Sequence, residues 1–181
     1  MNFICFIRTR VQLIKNDREA YVRHFKKLGV VACVVSLFVC GVYFFLIKPN
    51  FMLAVNESNS LPQTFFLVVK GSKVSVGDDV AFYPPDNPLY GSKYPFLKIV
   101  GGVPGDVVSR VGREFFVNGQ DKGWAYKKAH NGKVLNLGPI GVLGRDEYYV
   151  YTPNPKSYDS RYKSIGWIKA DRILGRAYPL F

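Results

Sequence analysis

The stretch FLKIVGGVPGD, residues 96–106, has the pattern of a buried β-strand that ends in a tight turn. A short strand that is apolar on both faces is usually covered on both sides, and Gly and Pro at its end favour a turn. Lys98 interrupts this apolar run. Because burial disfavours the ammonium form, the segment predicts an amine held neutral near pH 7, which can act as a base. On this segment alone, a lysine whose charged head reaches water remains the simpler interpretation.

The residues after 48 continue this β-type pattern in short runs separated by turn signals. These runs are rich in aromatic and β-branched residues, and they cover residues 65–69, 80–83, 114–117 and 147–151. Asn118-Gly119 is the strongest hairpin signal, since both residues suit the positive φ angles of a two-residue turn. No segment there keeps a 3.6-residue apolar period, so the sequence predicts a compact, mostly antiparallel β domain.

The connections of this domain are predicted from polar and turn-forming residues. We expect a tether over residues 48–57 and surface loops over residues 84–88 and 122–138, where Pro, Gly, Asn and Lys are frequent.

Residues 28–47, LGVVACVVSLFVCGVYFFLI, form an apolar stretch without a charged residue. Twenty helical residues at about 1.5 Å each span about 30 Å, the thickness of the hydrocarbon core of a bilayer. The stretch is too long for a cleaved signal peptide, and no small-x-small cleavage site ends it before Lys48. It therefore predicts a transmembrane helix that contacts the lipid bilayer.

The basic residues predict the orientation of this helix. Residues 1–27 carry seven Lys and Arg against two acids, whereas only Lys48 closely follows the apolar stretch. The positive-inside rule then gives a basic cytoplasmic segment over 1–27, a transmembrane helix over 28–47 and an exported domain over 48–181. Arg8 and Arg10 disfavour a second crossing by residues 1–14, and whether these residues lie on the membrane surface stays open.

Part of the net charge of +12 therefore comes from the basic residues that set the orientation of the helix. Residues 1–27 contribute +5, and residues 48–181, with 18 basic and 11 acidic residues, contribute +7. The excess of positive charge in the exported part favours contact with anionic lipid headgroups. Aromatic and basic residues do not interleave as a base-stacking surface requires, so no nucleic-acid partner is predicted.

The composition of the exported part excludes most catalytic chemistry. It has no cysteine and one histidine, His130, in a loop-like context. A zinc site or a Cys/His dyad is therefore disfavoured, and we predict no metal and no cofactor. A Ser-His-Asp triad would have to use His130. A hydroxyl nucleophile with a lysine base remains possible.

The candidate nucleophile lies in NESNSLP, residues 56–62. Ser58 and Ser60 are two residues apart, which suits an acyl-transfer site in which one hydroxyl attacks and the other donates to the oxyanion. A polar tether that contains serines explains the same residues. The triplet 56–58 also fits a glycosylation sequon, which often occurs by chance.

Taken in order, these segments resemble the type I signal peptidases, membrane-anchored serine endopeptidases with a Ser/Lys dyad. Ser58-Asn59-Ser60 with Pro62 looks like the nucleophile box, residues 98–106 look like the lysine box, and SYDSR, residues 157–161, is similar to the third box. Within the family, residues 153–162 and 175–181 look most like the TraF-type conjugative transfer peptidases.

Three departures from the general signal peptidases bear on this subgroup. Leu61 and Pro62 follow the nucleophile directly, and the third box lacks the preceding Gly-Asp-Asn-Arg. The span between the lysine and third boxes is also short, which implies a compact catalytic core without a large accessory β domain. Each departure weakens the assignment of the chain to the housekeeping signal peptidases, and none of them affects Ser60 or Lys98.

The resemblance implies a role for each residue of the boxes. Ser60 is the nucleophile and Lys98 the general base, while Ser58 and the Ser60 backbone N–H bind the oxyanion. Ser157 hydrogen-bonds the Lys98 amine and orients it. Asp159 and Arg161 support the site as an ion pair, with an ordinary surface pair as the open alternative.

The resemblance also implies where the protein works and on what. It places the protein in the bacterial inner membrane, with a periplasmic catalytic domain that cleaves pilin-type precursors and works beside conjugation or type IV secretion components. Two alternatives remain open at this point. One is a housekeeping type I signal peptidase, and the other is a catalytically silent, membrane-anchored β module of a secretion apparatus.

Overall fold

The computed structural model describes residues 3–58, 60–85, 94–129 and 132–180. The chain divides into two units, Met1–Pro49 and Asn50–Phe181.

The first unit is helical. Helix α1 spans Phe3–Val42 and continues through a π-helical turn, Tyr43–Ile47, into a short helix α2, Lys48–Asn50. In the part of the chain that the structure describes, one helical stretch, Asp17–Asn50, is long and apolar enough to cross a membrane by length and composition. The predicted span 28–47 lies inside it, and residues 3–14 belong to the same uninterrupted helix.

The second unit is mostly antiparallel β, as the sequence predicts. Its strands are β1 (Phe51–Val55), β2 (Phe65–Lys70), β3 (Asp79–Phe82), β4 (Phe96–Gly102), β5 (Val107–Val111), β6 (Glu114–Val117), β7 (Gln120–Trp124), β8 (Gly141–Val142), β9 (Glu147–Tyr151), β10 (Ile168–Lys169) and β11 (Ile173–Pro179). A single 3₁₀ turn, Ala170–Arg172, precedes the last strand in the described residues.

These strands form two sheets. The larger has the order β1-β2-β11-β3-β4-β9-β10, and the smaller has the order β7-β6-β5-β8. The last strand, β11, therefore lies between β2 and β3. Gly175 permits this close approach, because a Cβ at its φ of 151° would lie 2.0 Å from the Val69 carbonyl oxygen.

The Asn118-Gly119 hairpin is confirmed. The two residues have φ angles of 50° and 78°, and they join β6 to β7 as antiparallel neighbours. The other three predicted runs also coincide with strands, β2, β3 and β9, within one residue at each end.

Two predicted connections are wrong. Residues 51–55 of the expected tether form the edge strand β1, which pairs with β2 and buries Ala54. The expected surface loop over 122–138 begins inside β7. Ala125 and Leu135 of this segment pack in the core against apolar residues of the smaller sheet. The loop predicted over 84–88 falls partly on residues 86–88, which lie outside the described residues.

Strand alternation places Lys98 on a defined face of the large sheet. Successive side chains of a strand point to opposite faces, and Lys98 is the direct cross-strand neighbour of Val80. Lys98 therefore shares the face whose buried cluster comprises Val80, Phe82, Val100, Val150, Ile165 and Ile168. The opposite face carries a second cluster, Ala54, Leu61, Phe66, Val68, Ala81, Leu97 and Ala177. The predicted buried strand is thus β4, with apolar residues packed on both of its faces.

Candidate active site

The loop between β1 and β2 brings the two predicted serines together. Its ends are joined by a hydrogen bond from the Asn56 N–H to the Thr64 carbonyl, 2.8 Å long. Inside the loop, Ser58 Oγ and Ser60 Oγ lie 2.8 Å apart, which is hydrogen-bonding distance. Ser60 is 8% exposed, whereas Ser58 is exposed. The loop therefore holds two hydroxyls side by side at a partly covered position.

Asn56 organises this loop, a role that the sequence reasoning missed. Its Oδ1 accepts hydrogen bonds from the backbone N–H of Ser58 and from the hydroxyls of Ser58 and Ser60. The available signal was the known tendency of Asn to hydrogen-bond the backbone two residues further on. In the sequence alone, Asn56 stands out only as the first residue of a chance sequon.

Lys98 lies on β4 and is 5% exposed. Loss of hydration on burial lowers the pKa of its amine from 10.5 to about 8, while Asp159 acts to raise that pKa and Arg161 to lower it. At pH 7 about a tenth of the amine is then neutral, against a trace for free lysine. The direction of the shift agrees with the sequence argument, but the protonated form still predominates at pH 7.

The hydrogen bonds expected of Lys98 are not formed in this structure. Across the described ranges, none joins its Nζ to Ser60 or Ser157, and the Nζ lies 5.7 Å from the centroid of the Phe96 ring. Among the described residues, Ser157 Oγ is buried without a hydrogen-bond partner. Hydrogen bonds between catalytic groups often align only when substrate binds, so the orienting role of Ser157 stays a prediction.

Asp159 and Arg161 form a fully buried ion pair instead of a surface pair. Arg161 Nη2 lies 2.7 Å from Asp159 Oδ2 and Nε lies 2.8 Å from Oδ1, with both side chains 0% exposed. This two-point geometry is the strong form of an arginine–carboxylate contact. The pair lies close enough to Lys98 for both of its charges to act on the pKa of the amine.

The same arginine ties the third box to the surrounding chain. It donates to the carbonyls of Trp124, Thr152 and Asn154. Gly123 leaves room for the guanidinium, because a Cβ there would lie 2.8 Å from Arg161 Nη1. The ion pair therefore links β7, the end of β9 and the segment that carries Ser157.

The described residues contain no group of three or more His, Cys, Asp or Glu side chains able to hold a metal ion. His130, the histidine on which a Ser-His-Asp triad would depend, lies outside the described residues. The candidate residues that the structure describes include two adjacent hydroxyls and an amine of lowered pKa.

Hydroxyl and amine groups are among those that hydrolases use for nucleophilic catalysis. The sequence model of the signal peptidase family, peptidase S26, matches residues 23–181. The chain therefore belongs to the signal peptidase family, peptidase S26. No curated protein matches the chain significantly.

Membership of this family defines the general activity. The chain is a peptidase of a serine peptidase family, and its substrates are precursor proteins that carry signal peptides. The apolar N-terminal helix and the family together indicate that the protein is anchored in a membrane.

Proposed function

We propose that the chain uses a Ser60/Lys98 dyad to cleave the leader peptides of pilin-type precursors in a conjugative transfer system. The proposed orientation has the N-terminus in the cytoplasm and residues 48–181 in the periplasm of a bacterium. Seven basic residues before the apolar stretch support that orientation.

The proposed reaction has two steps. Ser60 Oγ attacks the scissile carbonyl and gives its proton to Lys98 Nζ, while Ser58 Oγ and the Ser60 backbone N–H donate to the oxyanion. Lys98 then returns the proton to the leaving amine as the C–N bond breaks, which leaves an ester on Ser60. The leaving amine is the N-terminus of the mature protein, and water then hydrolyses the ester and releases the leader peptide.

The proposal of the dyad rests mainly on one observation, the lowered pKa of a lysine that is buried in an apolar strand. A base is most effective when its pKa lies near the working pH, and burial brings the pKa of Lys98 to about 8. The contact of 2.8 Å between Ser58 Oγ and Ser60 Oγ supports the pairing of a nucleophile with an oxyanion donor. Asp159 and Arg161 support the site, in this proposal, by fixing the segment that carries Ser157.

The substrate class rests on the sequence of the boxes. Pro62 follows Ser60 at the short spacing of the TraF-like pattern, and residues 153–162 resemble the third box of that subgroup. Pilin-type precursors and other conjugation components are the partners that this resemblance favours.

A processing assay tests the dyad. Full-length protein in lipid is incubated with a candidate pilin precursor, and the product mass is measured. Wild type and the exposed-site control Ser109→Ala should both release the leader, whereas Ser60→Ala and Lys98→Ala should release none. Full processing by Ser60→Ala would exclude the dyad and favour a catalytically silent module.

A second comparison tests the substrate class. The same enzyme is given the pilin precursor and a general secretory precursor at equal concentration. Faster cleavage of the pilin precursor is expected, and a preference for the secretory precursor would indicate a housekeeping enzyme. The product mass also separates hydrolysis from cyclisation, since a cyclic product is lighter by one water.

A further inference from the structure

We infer that Asn56 is a positioning residue that holds Ser58 and Ser60 in their reacting orientation. The inference rests on the proposed catalytic roles of those two serines. It assigns a function to the side chain of Asn56, which begins the loop between β1 and β2.

The acceptor end of the carboxamide faces both serines. Asn56 Oδ1 lies 3.1 Å from Ser58 Oγ, 3.3 Å from Ser60 Oγ and 3.3 Å from the Ser58 backbone nitrogen. A carbonyl oxygen accepts at two lone-pair positions, which the Ser58 N–H and one of the two serine hydroxyls can occupy together. A turn stabilised only through the backbone would need the Ser58 N–H alone. The two hydroxyl contacts are additional to it.

The Ser58 and Ser60 hydroxyls have two protons to donate between them. The hydrogen bond of 2.8 Å between Ser58 Oγ and Ser60 Oγ uses one of their two protons. Whichever serine donates in that bond, the other hydroxyl has Asn56 Oδ1 within reach. When the Ser58 hydroxyl turns toward an oxyanion, Oδ1 keeps the Ser58 N–H as a donor. The asparagine therefore allows this rearrangement without leaving its own oxygen unpaired.

The donor end fixes the other side of the loop. Asn56 Nδ2 donates to the Leu61 carbonyl at 2.9 Å and to the Gln63 carbonyl at 3.1 Å. Leu61 is buried in the core next to the nucleophile. One planar amide thus ties the serine hydroxyls to backbone that is anchored in the core, which restricts their positions before substrate arrives.

A double-mutant cycle with full-length protein in lipid tests this role. Asn56→Ala should lower kcat about 10- to 100-fold with KM unchanged, as expected for misplaced groups that act in the transition state. In the Ser58→Ala background the further loss should be smaller than in wild type, because one of the two hydroxyls being positioned is already absent. Asn56→Asp keeps an oxygen facing the serines but replaces the Nδ2 donor with an acceptor toward the Leu61 and Gln63 carbonyls, so its kcat should fall as well.

The control is Asn118→Ala. Asn118 also uses both ends of its carboxamide, toward the Val107 N–H and Asp106 Oδ1, but it lies in the β6–β7 hairpin. Its replacement should leave kcat unchanged. If Asn56→Ala does not fold, Asn56→Leu, which keeps the side-chain volume, replaces it in the cycle.

The outcomes separate this inference from the proposed function. A smaller fraction of folded enzyme multiplies activity equally in every background, so equal fold losses with and without Ser58→Ala would overturn the positioning role. Unchanged kcat in Asn56→Ala, with Ser60→Ala inactive, would overturn it as well. Activity in Ser60→Ala would instead overturn the proposed dyad itself.

Discussion

Replacement of Lys98 by Met should make the protein more stable while it abolishes activity. Burial lowers the pKa of the amine from 10.5 to about 8. A difference of about 2.5 pKa units corresponds to about 3 kcal/mol of unfavourable free energy for the charged amine in the folded state at pH 7. Methionine fills a similar volume without a charge, so Lys98→Met should raise the free energy of unfolding by about 3 kcal/mol.

The pH dependence follows from the direction of the shift. Because the folded-state pKa is lower than the unfolded-state pKa, the unfolded chain binds more protons between pH 8 and pH 10.5. The penalty from Lys98 is therefore complete below about pH 8, and it disappears as the pH rises through 10.5. The stability difference between Lys98→Met and wild type should shrink over the same window.

Urea unfolding of the full-length protein in detergent measures both quantities. The two tryptophans, Trp124 and Trp167, belong to the unit that contains Lys98, so their fluorescence reports its unfolding. Lys163→Met removes an exposed lysine and serves as the control. Two results would refute the conclusion that burial penalises the charged form of Lys98. One is a Lys98→Met variant less stable than wild type at pH 7, and the other is a stability difference that stays constant from pH 7 to 11.

Four further predictions concern the same site. The kcat/KM of the wild type should rise with pH through a midpoint near 8 as Lys98 loses its proton, and a flat profile between pH 5 and 10 would contradict its role as base. Arg161→Met leaves Asp159 buried without its partner and should cost about 3–5 kcal/mol in urea unfolding, whereas a loss below about 1 kcal/mol would show that the pair is dispensable. The same change should move the midpoint of the pH profile upward, because Arg161 lowers the pKa of Lys98. Ser58→Ala should reduce kcat about 100- to 1000-fold with little change in KM, and an undiminished kcat would exclude it as an oxyanion donor.

Local sequence signals predicted the features that depend on neighbouring residues. Asn118-Gly119 predicts its hairpin because both residues accept positive φ angles, which few other residues do. The apolar run around Lys98 predicts burial because both faces of that strand need cover. In each case the cause lies within about ten residues of the feature.

The features that were missed depend on distant partners. In the sequence alone, residues 51–55 look like part of a tether, because nothing nearby indicates that they pair with β2. Nothing near Gly175 indicates that its strand enters the sheet between β2 and β3. Asn56 likewise gains its importance from the way the loop folds back, which brings the carbonyls of Leu61 and Gln63 to its amide.

The position of β11 between β2 and β3 also determines how late in synthesis the larger sheet can form. The Arg176 N–H bonds Ser72 Oγ across 104 residues of chain, and β11 separates β2, which follows the serine loop, from β3, which adjoins the lysine strand. A ribosome-bound chain that lacks residues 173–179 cannot join these two halves of the sheet, and such long-range pairing is slow to form. We therefore expect the larger sheet, and with it the proposed site, to assemble only after residues 173–179 have been made.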